Sequence, residues 1–253
     1  LGQTILAVTV YDGRLRWPVP GDLPQLLEGR AVRSLDRRAR YLLLRFDTGT
    51  LIIHLGMTGT LRCYSSAPPL ARHEHLEFRL SSGDRLRYRD PRRFGAVLWT
   101  SDPPECHPLL AELGPEPLSP DFDAKGLYVA IHYRRVALKL ALMDNRVVSG
   151  VGNIYASEAL FRAGLRPTRP CARVSRAACA RLLAAVREIL DEAIAAGGST
   201  LRDYVDAQGN RGYFQLEHRV YGRAGLPCRN CGTSIRELRL GGRSSCYCPH
   251  CQK

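Results

Sequence analysis

The chain has 253 residues, 45% hydrophobic and 24% charged, with 37 basic and 24 acidic side chains giving a formal net charge of +13. That length buries a sizeable core and favours two domains over one. Apolar runs such as Tyr41–Leu44 and Leu51–Ile53 are far too short to span a bilayer, and no charged-then-apolar leader stands at the front. The expectation is a soluble, intracellular, cytoplasmic protein, a monomer by default.

The first hundred residues carry the pattern of an antiparallel β domain. Thr4–Val10, Arg40–Phe46, Thr50–Leu55, His75–Leu80 and Arg85–Asp90 are short runs separated by turn signals such as Asp12-Gly13, Thr48-Gly49 and Ser82-Gly83. In the fourth run Leu76, Phe78 and Leu80 alternate onto one face. The chain opens at Leu1 without Met, and Thr4–Val10 already reads as strand in full stride, so the expected N-terminus lies further upstream. Six prolines between Pro103 and Pro120 predict a linker. Beyond it the period becomes helical. Ile154–Ala163 follows Gly150-Val-Gly152-Asn153 and stops at Gly164. Ser175 is placed to cap a helix carrying Leu182, Val186, Leu190 and Ile194, ended by Gly197-Gly198. The expected class is α+β, with a β-sandwich over 1–115, a helical domain over 120–210 and a cysteine-rich unit over 215–253.

The charge is uneven: residues 1–120 hold 16 basic and 13 acidic groups, against 21 and 11 in the remainder. A basic surface attracts polyanions, nucleic acid first. The bases are 34 Arg and 3 Lys; arginine forks suit phosphates and guanine edges, although codon bias yields the same imbalance.

Of nine cysteines, Cys63, Cys106, Cys171 and Cys179 are scattered, while five fall in the last 26 residues. Cys228-x2-Cys231 and Cys248-x2-Cys251, sixteen residues apart, are two knuckles that together offer four thiolates to one tetrahedral Zn2+ with no open position. Such a site is structural and fits a reducing compartment better than a disulfide framework does. Cys246 is a bystander close enough to compete as a ligand. Arg223, Arg229, Arg236, Arg239 and Arg243 surround the knuckles and would present charge to DNA.

Three further motifs are ambiguous singly. Gly150–Glu158 places glycines and Asn153 before a helix, a phosphate-binding arrangement that packing explains equally well. Asp90-Pro-Arg-Arg-Phe-Gly95 suits a wedge, with Phe94 entering a base stack and Arg92 or Arg93 meeting a base or phosphate; it is also an ordinary solvated turn. Met57, after His54-Leu-Gly, reads alone as core.

Taken in order, His54–Gly59, Asp90–Gly95, Leu142-Met-Asp-Asn145, Gly150–Glu158, Gly212-Tyr-Phe214 and the cysteine knuckles resemble the formamidopyrimidine-DNA glycosylases along the whole chain. The resemblance implies a β-sandwich, a helix–two-turn–helix domain and a zinc ribbon (one structural Zn2+) holding damaged double-stranded DNA. It implies excision of 8-oxoguanine and formamidopyrimidines from a flipped nucleotide, then β,δ-elimination at the abasic site. By the same resemblance Met57, Arg92 and Phe94 fill the vacated stack, and Asn153 and Arg243 grip phosphates. His73 and Arg134 match further DNA contacts, Lys139 lies near the flipped base, and Tyr213 and Phe214 close over the lesion. The family's nucleophile, an N-terminal proline followed by an acidic proton donor, is absent from these residues. Arg40 stands where the family has lysine; it keeps a phosphate clamp but is a poorer proton donor. Two other classes compete: a damage-binding protein without catalysis, and a zinc-ribbon transcription factor, against which the long β domain argues.

Overall fold

The computed structural model describes residues 1–196 and 218–253, which fall into two compact units, Leu1–Ala111 and the described residues from Glu112 onward. In the first, β1 (Ile5–Val10), β6 (Glu74–Leu80), β7 (Arg85–Arg89) and β5 (Thr60–Tyr64) form one sheet in that order. The strands β2 (Ser34–Arg38), β3 (Tyr41–Phe46), β4 (Gly49–His54) and β8 (Ala96–Thr100) form the other. Every pairing is antiparallel. Period-two alternation sends Val8, Leu76, Phe78 and Tyr88 from one sheet into the same core as Leu44, Phe46, Leu51, Ile53 and Val97 from the other. This is the expected β-sandwich. A short helix, α1 (Leu23–Leu27), adds two fully buried leucines to that core.

Two details depart from the sequence pattern. The outward side of β6 is buried rather than solvated: Arg87 donates to Glu77 at 2.6 Å, Glu74 at 3.0 Å and the Pro68 carbonyl at 2.9 Å, so the loop before β6 roofs an ion triad. The proline-rich stretch is not wholly a linker, since residues Pro104–Cys106 form a 3-10 turn and Pro108–Ala111 a one-turn helix, α2. Proline suits the first turn of a helix, where its missing N–H has no partner to lose.

The second unit contains α3 (Ala124–His132), α4 (Leu138–Leu142), α5 (Asn153–Arg162) and α6 (Arg176–Ala195), followed by the hairpin β9 (Arg236–Leu240) and β10 (Arg243–Tyr247). Asp123 caps α3 by accepting from the Gly126 amide at 2.7 Å, and Ser175 caps α6 by accepting from Ala178 at 3.2 Å. Along α6 the expected stripe holds at Leu182 and Val186 but not at Ile194, which is 66% exposed. Steps of four residues precess by about 40° each on a 3.6-residue helix, so the buried face continues instead through Ile189 and Ala193. Gly197-Gly198 lie outside the described residues. No helix among the described residues is long and apolar enough to cross a membrane.

Candidate nucleic-acid interface and metal centre

In the first unit the loop after β4 exposes Met57 and the loop after β7 exposes Phe94, with 67% and 42% of their surface in solvent. Isolated apolar side chains on a surface are common, but here the Arg92 guanidinium lies over the Phe94 ring, 4.6 Å from its centroid. Arg92, Phe94, Arg93 and Arg16 line a cavity of about 420 Å³. Close backbone approach brings the loops together. A side chain at Gly56, where φ is +64°, would meet the Phe94 carbonyl group, and one at Gly95 would run into the Tyr88 hydroxyl and the His54 carbonyl. Gly95→Ala is therefore expected to cost about 1–3 kcal/mol through overpacking, seen by calorimetry as a lower melting temperature; an unchanged Tm would show that the loop yields freely.

Arg93, which lines the same cavity, is held by groups of the sandwich. It sits at φ +56°, donates to Asp12 at 2.6 Å and to the Arg14 carbonyl at 3.1 Å, and so ties the strained turn to the body of the sandwich. Asp12 is held far below the usual carboxylate range by Arg14 and Arg93.

Arg40 is exposed in the two-residue turn between β2 and β3, after Ala39 at φ +51°. Its charge and that of Arg16 act on the cross-strand pair Tyr41 and His54, whose ring centroids are 4.8 Å apart. Burial first, then Arg40 and Arg16, lowers the His54 pKa, favouring the neutral ring. The Gly56 amide donates to its Nδ1 at 3.1 Å, so the remaining proton sits on Nε2, a donor suited to a phosphate oxygen. Neither His54 nor Asp90 stands out in the sequence as a site residue. The His-Leu-Gly-Met motif contains the first, but its role depends on Arg16 and Arg40 from elsewhere in the chain. His73 sits at φ +70° at the start of β6; its carbonyl accepts from the Asp90 amide at 3.1 Å.

In the second unit the hairpin presents Arg243. Gly241 and Gly242 both have positive φ, +54° and +74°, as a type I′ turn requires, and Arg243 follows directly as the exposed partner of Leu240. Helix α4 grips this tip: a side chain at Gly241 would meet Leu140, and Lys139 donates to the Ser244 carbonyl at 2.8 Å and Ser245 Oγ at 2.7 Å. Lys139 is 1% exposed, and burial lowers its pKa to about 8. Its side chain is buried against the hairpin backbone that follows Arg243. Arg134 pairs with Asp144 at 2.8 Å and donates to the Ala130 carbonyl at 3.1 Å. Asn153 opens α5, its Oδ1 buried without a hydrogen-bond partner among the described residues. Tyr213 and Phe214 lie outside the described residues.

The thiols of Cys228, Cys231, Cys248 and Cys251 all lie within 4.8 Å of one another. Three of their Sγ–Sγ distances are 3.4, 3.5 and 3.9 Å, close to the ~3.8 Å edge of a tetrahedron with Zn–S bonds of ~2.3 Å. Hydrogen bonds from Thr233 lower Cys231 to about 6, whereas burial raises Cys248 and Cys251. Four thiolates so close are compatible only around a dication, which the donor set fits. Cys246 is buried on β10 and falls outside this group. The ribbon is tied to α5 by Glu158, whose carboxylate accepts from the amides of Arg219, Val220 and Tyr221 at 2.7–3.0 Å. At the far end Gln252 joins the Cys248 amide to the Leu165 carbonyl.

Family models match along the chain: the formamidopyrimidine-DNA glycosylase N-terminal domain over residues 1–97, the H2TH domain of those enzymes over 113–205, and a zinc finger found in FPG and IleRS over 225–253. The formamidopyrimidine-DNA glycosylases of Thioalkalivibrio sulfidiphilus and Stutzerimonas stutzeri are each 54% identical to it, across 100% of this chain and 93% of theirs. Among solved structures, the MutM (Fpg) protein of Thermus thermophilus superposes with a TM-score of 0.88 at 41% identity, covering 100% of this chain and 92% of that one. Lactococcus lactis Fpg bound to DNA containing an abasic site gives 0.90 at 31% identity, with 100% and 93% covered. With sandwich, helical domain and four-thiol ribbon all matched in order, the chain belongs to the formamidopyrimidine-DNA glycosylase family.

Proposed function

We propose that this protein removes oxidised purines from duplex DNA as a base-excision-repair glycosylase and, as an abasic-site lyase, nicks the strand by β,δ-elimination. The observation that carries the reading is the exposed Met57, Arg92 and Phe94 group on two interlocked loops, a wedge of the size and polarity that replaces an extruded base. Relatives support it: a mutant of Lactococcus lactis Fpg is known in complex with DNA containing Fapy-dG, and MutM with DNA containing carbocyclic 8-oxo-G. Arg243, Asn153 and the Arg40–His54 surface supply donors for phosphates, and the zinc ribbon holds Arg243 in place. Arg93, Arg134 and Lys139 act in this reading mainly by fixing the backbone that carries the contacts.

The lyase step needs an amine nucleophile, and the terminal proline that the family resemblance implies is not among these 253 residues. Lys139 has the pKa for the task but is buried and donates to Ser244 and Ser245. Borohydride trapping on an 8-oxoguanine·cytosine duplex is therefore expected to cross-link a chain extended by Met-Pro-Glu and not the 253-residue chain. Trapping of both would assign the amine to this chain; tight binding with trapping of neither would favour a damage-binding protein. In the extended chain Arg40→Lys is expected to speed elimination about a hundredfold, the low end of general-acid effects, with lesion affinity held. An unchanged cleavage rate would show that Arg40 does not limit proton transfer.

A further inference from the structure

We infer that Asp90 is a positioning residue that fuses the two exposed loops into one preformed wedge; the inference rests on the lesion-recognition reading above. Asp90 is fully buried while the side chains it serves are exposed. Its Oδ1 accepts from the Thr58 hydroxyl, next to Met57, at 2.7 Å. Its Oδ2 accepts from the Gly95 amide, next to Phe94, at 2.8 Å. The Arg92 amide is shared between Asp90 Oδ1 and Thr58 Oγ1, 3.3 Å from each. The backbone of Asp90 is fixed as well, its amide donating to the His73 carbonyl at 3.1 Å and its carbonyl accepting from His75 Nε2 at 2.9 Å and the Arg93 amide at 3.2 Å.

One carboxylate thus accepts from both loops, Oδ1 from Thr58 and Arg92 and Oδ2 from Gly95. An asparagine offers only one such oxygen and would turn a donor toward the Thr58 hydroxyl or the Gly95 amide. Loops ordered in advance do not lose their conformational entropy when DNA arrives, so the clamp should act on wedge insertion and not on backbone contacts. Insertion is what separates a lesion, whose base leaves the stack most readily, from intact duplex.

Thr58→Val, nearly isosteric but without the hydroxyl, tests this, with Thr58→Ser as the rescuing change. In hydrogen exchange on the free protein, Thr58→Val should raise exchange at residues 56–59 and 91–95 together. In fluorescence anisotropy, the affinity ratio for an 8-oxoguanine duplex over an undamaged one should fall about tenfold, with undamaged affinity and its salt dependence held; Thr58→Ser should restore both readouts. Loosening of 56–59 alone, an unchanged ratio, or a parallel loss on both duplexes would each overturn the inference. Because exchange is read without DNA, a clamp that loosens as expected in a protein with no lesion preference would leave the coupling intact and remove the lesion-recognition reading instead.

Discussion

Lys139→Met is expected to weaken binding to damaged and undamaged duplex alike, by about tenfold, and to flatten the salt dependence by about one phosphate contact, a slope change of ~0.9. The reasoning starts from Lys139 Nζ, which donates to the Ser244 carbonyl and Ser245 Oγ directly after Arg243. Methionine fills the volume but leaves both acceptors without that donor, a penalty of about 1–3 kcal/mol. Removing a buried cation offsets part of it, so global stability should change little while the hairpin tip loosens. The pH dependence carries a sign that separates the variants. The folded pKa of about 8 lies below the ordinary lysine value of 10.5, so between those values the unfolded chain binds the extra proton. Native stability should therefore rise with pH across that window, and the rise should vanish in Lys139→Met. If Lys139 instead touched the flipped base, lesion preference would collapse with the salt slope intact, and its assignment as support for the hairpin tip would fail.

The sequence showed most clearly whatever is local. The β6 alternation places Leu76 and Phe78 in the core as expected because one face of a paired strand has a single destination. The α6 cap at Ser175 needs only an oxygen three residues before the Ala178 amide. Strand β2 was missed because Ser34–Arg38 is a polar edge, with Leu35 56% exposed, and an edge strand needs no second apolar face. Partners distant in sequence were invisible. Lys139 meets Ser244 and Ser245 across more than 100 residues, and Arg93 meets Asp12 across 81. No period encodes either pairing, so each arginine or lysine in a basic chain reads as a DNA contact until its carboxylate or carbonyl is found. Asp90 was overlooked for the same reason: in sequence it is the first residue of a proline turn, and only the fold brings Thr58 to it.

Removal of zinc with a high-affinity chelator is expected to lower DNA affinity by about two orders of magnitude while the β-sandwich stays folded. The ribbon's own buried cluster is small. Of Phe161, Val220, Cys228, Ile235, Cys246 and Cys248, three are cysteines and Phe161 belongs to α5. So little apolar area cannot order the segment, and in small zinc modules the metal supplies roughly 10–16 kcal/mol of apparent folding free energy. Glu158 and Gln252 tether the segment at its two ends but do not shape the Gly241-Gly242 turn between them. Loss of the metal should free Arg243, and hydrogen exchange should rise across residues 219–253. Trp17 and Trp99, the only tryptophans, both lie in the first unit and report on it separately, so their emission should not change. Cys248→Ser should reproduce the chelated state, whereas Cys246→Ser should not, because Cys246 stands outside the four-thiol group. Metal release measured with a chromogenic chelator, followed by unaltered DNA affinity, would mean that Lys139 and Leu140 of α4, with the tethers, hold Arg243 and that the zinc is dispensable to binding.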